Sequence, residues 1–153
     1  MPLNPDFVGR SFPPSEPYEV GREHIREFAA AIGDTHPAYR DAAAARALGH
    51  SDVIAPPTFL TVVAFRRPNA AIADPDLGLD YSRLVHGEQR FTHHRPVVAG
   101  DRLVSTSTIT DIRVAGRNEL MTITSEITTE AGEPVSTVTN VVVIRGTAPV
   151  QAG

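Results

Sequence analysis

The sequence predicts an α+β domain in which a long antiparallel sheet wraps a buried helix. Three observations lead there. Residues 58–65 (Thr-Phe-Leu-Thr-Val-Val-Ala-Phe) are apolar nearly all round, as a fully buried segment is. From Leu84 onward the hydrophobic period changes to two, with Met121, Ile123, Ser125 and Ile127 alternating onto one side. Residues 103–114, 118–129 and 135–145 are long, rich in Thr, Ser and Val, and separated only by the turn signals Ala115-Gly116 and residues 130–133. Strands joined by tight turns make a meander, and a sheet that follows a buried helix covers it.

Taken in order, residues 1–17 carry Pro2, Pro5, Pro13, Pro14 and Pro17 and read as an extended arm lying on the domain. Residues 18–20 fit a short strand. Residues 22–32 place Ile25, Phe28, Ala29 and Ile32 on one helical face, with Glu23, Arg26 and Glu27 opposite. Gly33 suits the stop. Residues 41–48 are alanine-rich, which favours helix, and Gly49 ends it. Periodicity alone does not separate helix from core strand for 58–65. Pro57 at a first-turn position and Arg66, Arg67 and Pro68 at the end favour helix. Residues 68–81 read as loop, and residues 88–95 as a fourth strand of the sheet. The tail, 146–153, reads as flexible.

At 153 residues, 41% hydrophobic and 21% charged, the chain suits one domain, 1–153, with a genuine core. No cysteine is present, which excludes disulfides, thiolate metal sites and a cysteine nucleophile. The first residues lack a basic region followed by an apolar run, and no apolar stretch approaches the roughly 18 residues of a membrane span, so a cytoplasmic location is expected. The net charge is −4, arginine far outnumbers lysine, and the basic residues form no stripe. Nucleic acid is therefore not an expected partner. Scattered arginines such as Arg83, Arg90 and Arg95 leave an acidic carrier protein open.

The chemistry-bearing stretch is 33–41, Gly33-Asp34-Thr35-His36-Pro37-Ala38-Tyr39-Arg40-Asp41, a turn between two helices. It resembles the Gly-Asp-x-Asn-Pro-x-His-x-Asp signature of the MaoC-like (R)-specific hydratases and dehydratases. Asp34, Pro37 and Asp41 match; His36 stands in the Asn place and Tyr39 in the place of the catalytic His. Three further segments are similar to the N-terminal-type dehydratase domains of that family: 54–59 (Ile-Ala-Pro-Pro-Thr-Phe), 86–91 (His-Gly-Glu-Gln-Arg-Phe) and 96–101 (Pro-Val-Val-Ala-Gly-Asp). The likeness covers most of the chain and is nearest to the A-type subunits of two-subunit (3R)-hydroxyacyl-ACP dehydratases. It implies a hot-dog fold, an acyl-ACP or acyl-CoA substrate and no cofactor. It also implies a dimer with a homologous hot-dog subunit that supplies the Asp/His pair. A self-sufficient homodimeric hydratase and a non-catalytic acyl-thioester binding protein are the alternative readings.

Dehydrating a 3-hydroxyacyl thioester needs an acid/base group, and one such group contributes about 100- to 10,000-fold. An imidazole with pKa ~6.5 suits that work, whereas a phenol near ~10 stays protonated. Tyr39 can donate a hydrogen bond but is a poor base. Asp34 is either the acting carboxylate or a cap for the helical turn near Pro37. His36 is two residues away and biased towards an extended backbone by Pro37. His86 is a candidate beside a ligand or subunit boundary, or a strand-end histidine facing solvent. In the resembled family the start of the 58–65 helix holds the thioester. Pro57 has no amide, which leaves Thr58 and Phe59 as donors. No metal is expected: His93 and His94 diverge on a strand, and His86 would lie roughly 26 Å from His94 along one.

Overall fold

Prolines remove amides from the N-terminal arm, and three of those that remain are directed at the sheet. In the computed structural model, which describes residues 2–66 and 69–149, Gly9, Phe12 and Ser15 donate to the carbonyls of Ile109, Ser107 and Ser105. Leu3, Phe7 and Phe12 are buried against the sheet. The arm thus covers one sheet edge, together with the two-residue strand β1 (Tyr18–Glu19), which pairs with Leu103 and Arg102.

Helix α1 (Arg22–Ala31) buries Ile25 and Ala29 and ends in a complete C-cap: Gly33 at φ +73 donates to Ala30 O, and Asp34 donates to Ala29 O. Helix α2 (Ala42–Ala47) starts on Asp41, whose carboxylate accepts from Ala43 N at 2.9 Å. Both agree with the expected helices to within a residue at each end. The expected helix over 58–65 is shorter. Helix α3 is Thr61–Ala64 alone, preceded by tighter turns in which Phe59, Thr61, Val62 and Val63 each donate three residues back. The β-branched residues Thr61, Val62 and Val63 lower the helix propensity of the segment. The segment is nevertheless central, with Phe59, Leu60, Val63 and Ala64 buried. Its expected end at Arg67 and Pro68 lies outside the described residues.

Residues 69–81, expected as loop, hold helix α4 (Ala70–Ala73) and a 3₁₀ turn at Pro75–Leu77, with another following at Tyr81–Arg83. Asn69, Asp74 and Asp80 each accept an amide two residues ahead, at 3.0, 2.9 and 2.9 Å. These local caps give short helical turns where hydrophobic periodicity shows nothing.

The sheet runs β1-β3-β4-β5-β2 and is antiparallel throughout, with β2 Leu84–His93, β3 Arg102–Ala115, β4 Asn118–Thr129 and β5 Pro134–Ile144. A two-residue turn with Gly116 at φ +61 joins β3 to β4. The expected fourth strand thus begins earlier than 88 and ends at His93. A bulge at Gly87 displaces its register on β5, and a Cβ there would meet Val141 O and Val143 Cγ2 at 3.1 Å. Two buried apolar clusters line the inner face. One holds Val53, Phe59, Leu60, Val63, Leu103 and Val138, and the other Phe7, Leu77, Ile109, Met121 and Ile144. Between them the buried Ser107 and Ser125 hydroxyls bond at 2.8 Å. A curled antiparallel sheet around a short central helical segment is the hot-dog arrangement. Of the tail expected to be flexible, residues 146–149 are held, with Gly146 N on Asn118 Oδ1 and Ala148 N on Arg117 O; 150–153 lie outside the described residues. Among the described residues, no helix is long and apolar enough to cross a membrane.

A buried side chain also fastens the arm. Glu119, 3% exposed, accepts the Leu3 amide on both carboxylate oxygens at 3.0 and 3.1 Å. Glu119→Ala is expected to lower stability by about 1–3 kcal/mol in urea denaturation. It should also raise hydrogen exchange at Gly9, Phe12 and Ser15, whereas an arm held by its apolar residues alone would leave exchange unchanged.

Candidate functional site

Three segments converge because their backbones are stitched together. Ile54 N donates to Ala38 O at 3.1 Å, Ala55 N to Val97 O at 2.8 Å and Ala99 N to Val53 O at 3.0 Å. The turn 33–41, the corner 53–60 and the loop 93–101 therefore meet at one cleft of about 420 Å³, with Tyr39, Pro57, Leu60, His93 and Val97 among its walls. Arg95 secures the last of these segments. Its guanidinium grips both Asp101 oxygens at 2.9 and 3.0 Å and reaches Glu133 at 3.0 Å, while Asp101 also accepts Val98 N. This pairing raises the Arg95 pKa further, through the hydrogen bonds to Asp101 first. Arg95 is thus a structural clamp rather than a loose arginine for a carrier.

Asp34 is half-buried and accepts the His36 amide at 3.1 Å. His36 is the cap of the 3₁₀ turn Pro37–Tyr39, its Nδ1 accepting Ala38 N at 3.2 Å. A neutral His36 therefore carries its proton on Nε2 and has no lone pair to offer a substrate. Tyr39 is half-buried, its ring 5.6 Å from that of His36, and it lines the cleft. Burial raises the phenol pKa, and the nearby Asp34 carboxylate raises it further. No imidazole nitrogen bonds to Asp34 among the described residues.

His86 lies elsewhere, on β2 ahead of the Gly87 bulge, its ring edge-on to Phe65 at 5.8 Å. The expected pair of amide donors is altered. Phe59 N–H is taken by Pro56 O at 2.9 Å, and its side chain is wholly buried against Tyr18, His24 and Phe28. The amides at this corner with no partner among the described residues are those of Thr58 and Leu60. A four-residue α3 also has few aligned peptides, so any polarisation here comes from single amides rather than a summed dipole.

Strand alternation missed two cleft residues. The expectation that His93 and His94 diverge assumes a strand running to Arg95, but β2 ends at His93 and the chain bends, so both line the cleft. His93 is held at both nitrogens, Nε2 2.8 Å from Pro57 O and Nδ1 3.2 Å from Ser136 Oγ. Among the described residues, no three His, Asp or Glu are placed to share a metal ion.

The raised Tyr39 pKa has a defined sign. The folded state holds the phenolic proton more tightly than the unfolded chain, so the associated stability is present below ~10 and is lost as pH rises through the folded value. Tyrosinate absorbance at 295 nm is expected to include a component titrating above ~10 that Tyr39→Phe removes. Titration of Tyr39 below that value would show an activated phenolate instead.

The comparisons bear on the family and the fold. A model of the dehydratase domain region of FAS1-like proteins matches residues 6–138. A UPF0336 protein of Saccharopolyspora erythraea is 53% identical over 148 residues, covering 97% of this chain and 95% of that one. A solved MaoC-like dehydratase superposes with TM-score 0.83 at 39% identity over 91% of this chain, which spans 42% of that longer protein. The HadBC (3R-hydroxyacyl-ACP dehydratase) complex of Mycobacterium tuberculosis gives TM-score 0.74 at 30% identity, covering 90% of this chain and 97% of that one. With the hot-dog sheet and the 33–41 turn in place, the chain belongs to the FAS1-like dehydratase-domain family within the MaoC-like hot-dog dehydratases.

Proposed function

We propose that this chain is one subunit of a (3R)-hydroxyacyl-thioester dehydratase of fatty-acid elongation, acting on an ACP- or CoA-borne acyl group. It contributes part of the acyl channel and stability, and a homologous hot-dog partner supplies the Asp/His pair. The observation that carries this is the cleft at Tyr39. Tyr39 lines that cleft with its phenol pKa raised by burial and by the nearby Asp34. Asp34 itself is not among the cleft walls, and no imidazole nitrogen bonds to Asp34 among the described residues. His36 and His93 each have the acceptor nitrogen facing a protein hydrogen-bonding group, and His94, the other imidazole lining the cleft, makes no bond to Asp34 among the described residues.

Dehydration removes an α-proton and protonates a departing hydroxide, and both steps need a group that exchanges a proton near neutral pH. Asp34 alone covers at most one of them. Tyr39 can donate a hydrogen bond to an oxygen but cannot take up the α-proton. What the chain does offer is apolar space. A second cavity of about 310 Å³ lies under the arm, with Val63, Ala64 and Ala71 among its apolar walls and Glu16, Arg66 and Asn69 among its polar ones. The outer edge of β2 is also unpaired among the described residues, which gives a second subunit a place to meet this one.

Co-expression with a hot-dog chain that carries both Asp and His is expected to give a pair that hydrates a trans-2-enoyl thioester. This chain alone should be slower by about 100-fold or more. Equal turnover by the isolated chain would overturn the subunit reading in favour of a self-sufficient homodimer. In the pair, Asp34→Ala should change turnover less than tenfold, while the matching substitution in the partner should abolish most of it.

A further inference from the structure

The corner formed by Pro56 and Pro57 has no amide hydrogen of its own, so only carbonyls can fasten it. Pro56 O accepts from Phe59 N at 2.9 Å within the same turn. Pro57 O accepts from His93 Nε2 at 2.8 Å, and this is the bond that joins the corner to the sheet. The imidazole is itself oriented from two sides. Its Nδ1 lies 3.2 Å from Ser136 Oγ on β5, and its plane stacks on Phe91 at a 5.6 Å centroid distance and 14° tilt.

We propose that His93 is a positioning residue of the acyl cleft, holding the Pro57–Thr58 peptide against β2 and β5. A carbonyl oxygen only accepts, so Nε2 carries the ring proton, and Nδ1 is left to accept from the Ser136 hydroxyl. The Ser136 hydroxyl also lies 3.1 Å from Thr92 O, a second acceptor for its one hydrogen, and when it turns there the ring keeps the Nε2 bond to Pro57 O. The Pro57 carbonyl and the Thr58 N–H belong to one planar trans unit and point in opposite directions. Anchoring the carbonyl on His93 therefore fixes the direction of the Thr58 amide, which has no partner among the described residues. His93 acts through this peptide and not as a base, because its acceptor nitrogen faces Ser136.

The functional consequence rests on the subunit reading above: with proton transfer in the partner, His93 should govern affinity for the acyl thioester rather than the chemical step. His93→Phe keeps the stack on Phe91 and removes both hydrogen bonds, whereas His93→Gln keeps an N–H that can reach Pro57 O. In the co-expressed pair, His93→Phe is expected to raise KM for a trans-2-enoyl thioester by about tenfold with kcat within about twofold, and His93→Gln to recover most of it. On the chain alone, ¹⁵N NMR should show His93 protonated at Nε2. The Thr58 amide resonance should shift in His93→Phe and return in His93→Gln, with the thermal midpoint of each variant as the control for folding.

An unmoved KM in His93→Phe, a Gln variant no better than Phe, or a ring protonated at Nδ1 alone would each overturn the proposal. If the pair shows no turnover at all, the subunit reading falls. The NMR measurement then decides the role of His93 by itself.

Discussion

Everything at the cleft depends on three backbone hydrogen bonds that hold together segments far apart in the chain: Ile54 to Ala38, Ala55 to Val97, and Ala99 to Val53. None involves a side chain, so they tolerate exchange of the residues displayed around them. That separates scaffold from chemistry. The turn 33–41 keeps its position through the C-cap of α1, the Asp41 cap of α2 and the Ile54 amide, whichever ring stands at Tyr39. On the proposed reading, such stitching lets the catalytic imidazole be absent while the cleft is kept.

A tyrosine at position 39 in place of the signature histidine is, on that reading, a change of chemistry without a change of architecture. A phenol and an imidazole fill comparable flat space, and Tyr39 packs against the same apolar cluster as Phe59 and Val53. They differ in where they exchange protons, about 3.5 units apart on their reference values. Burial and Asp34 widen that gap rather than closing it. The Asp34 carboxylate would stabilise a protonated imidazole, but it opposes ionisation of a phenol. The same neighbour that would assist a histidine thus holds this tyrosine in its inert form.

The sheet and the first two helices were legible in the sequence because their signals are local. Alternation over 118–129 and the glycine stops at Gly33 and Gly49 need no tertiary information. The site was half legible. Likeness to a known signature singled out the turn that carries Asp34 and Tyr39, since it is continuous in sequence, and of the two only Tyr39 lines the cleft. The role of the corner could not, because it depends on which amides pair: Phe59 N–H closes on Pro56 O, a choice made by the tight turns ahead of α3. His93 was misjudged for a related reason. Alternation predicts side-chain direction only while a strand persists, and the strand ends at His93. The short helical turns after residue 68 escaped notice because asparagine and aspartate caps direct them, and a hydrophobic pattern does not register caps.

The two sheet edges are treated differently, and the difference follows from the same proline-rich arm. On the β3 side, Gly9, Phe12 and Ser15 occupy the carbonyls of Ile109, Ser107 and Ser105, and Ile109 N returns a bond to Arg10 O. The arm cannot extend this ladder into a regular strand, because Pro13 and Pro14 interrupt it, but it does satisfy the edge. Among the described residues the β2 side has no such cover, and its bulge at Gly87 redirects His86 relative to Glu88. Gly87 is required there by the approach of Val141 O and the Val143 methyl rather than by an unusual φ. An uncovered strand with a bulge set by close packing can receive another chain only at a restricted register. Since β2 also ends at His93 beside Pro57, any subunit pairing along this edge would bear directly on the peptide that His93 holds.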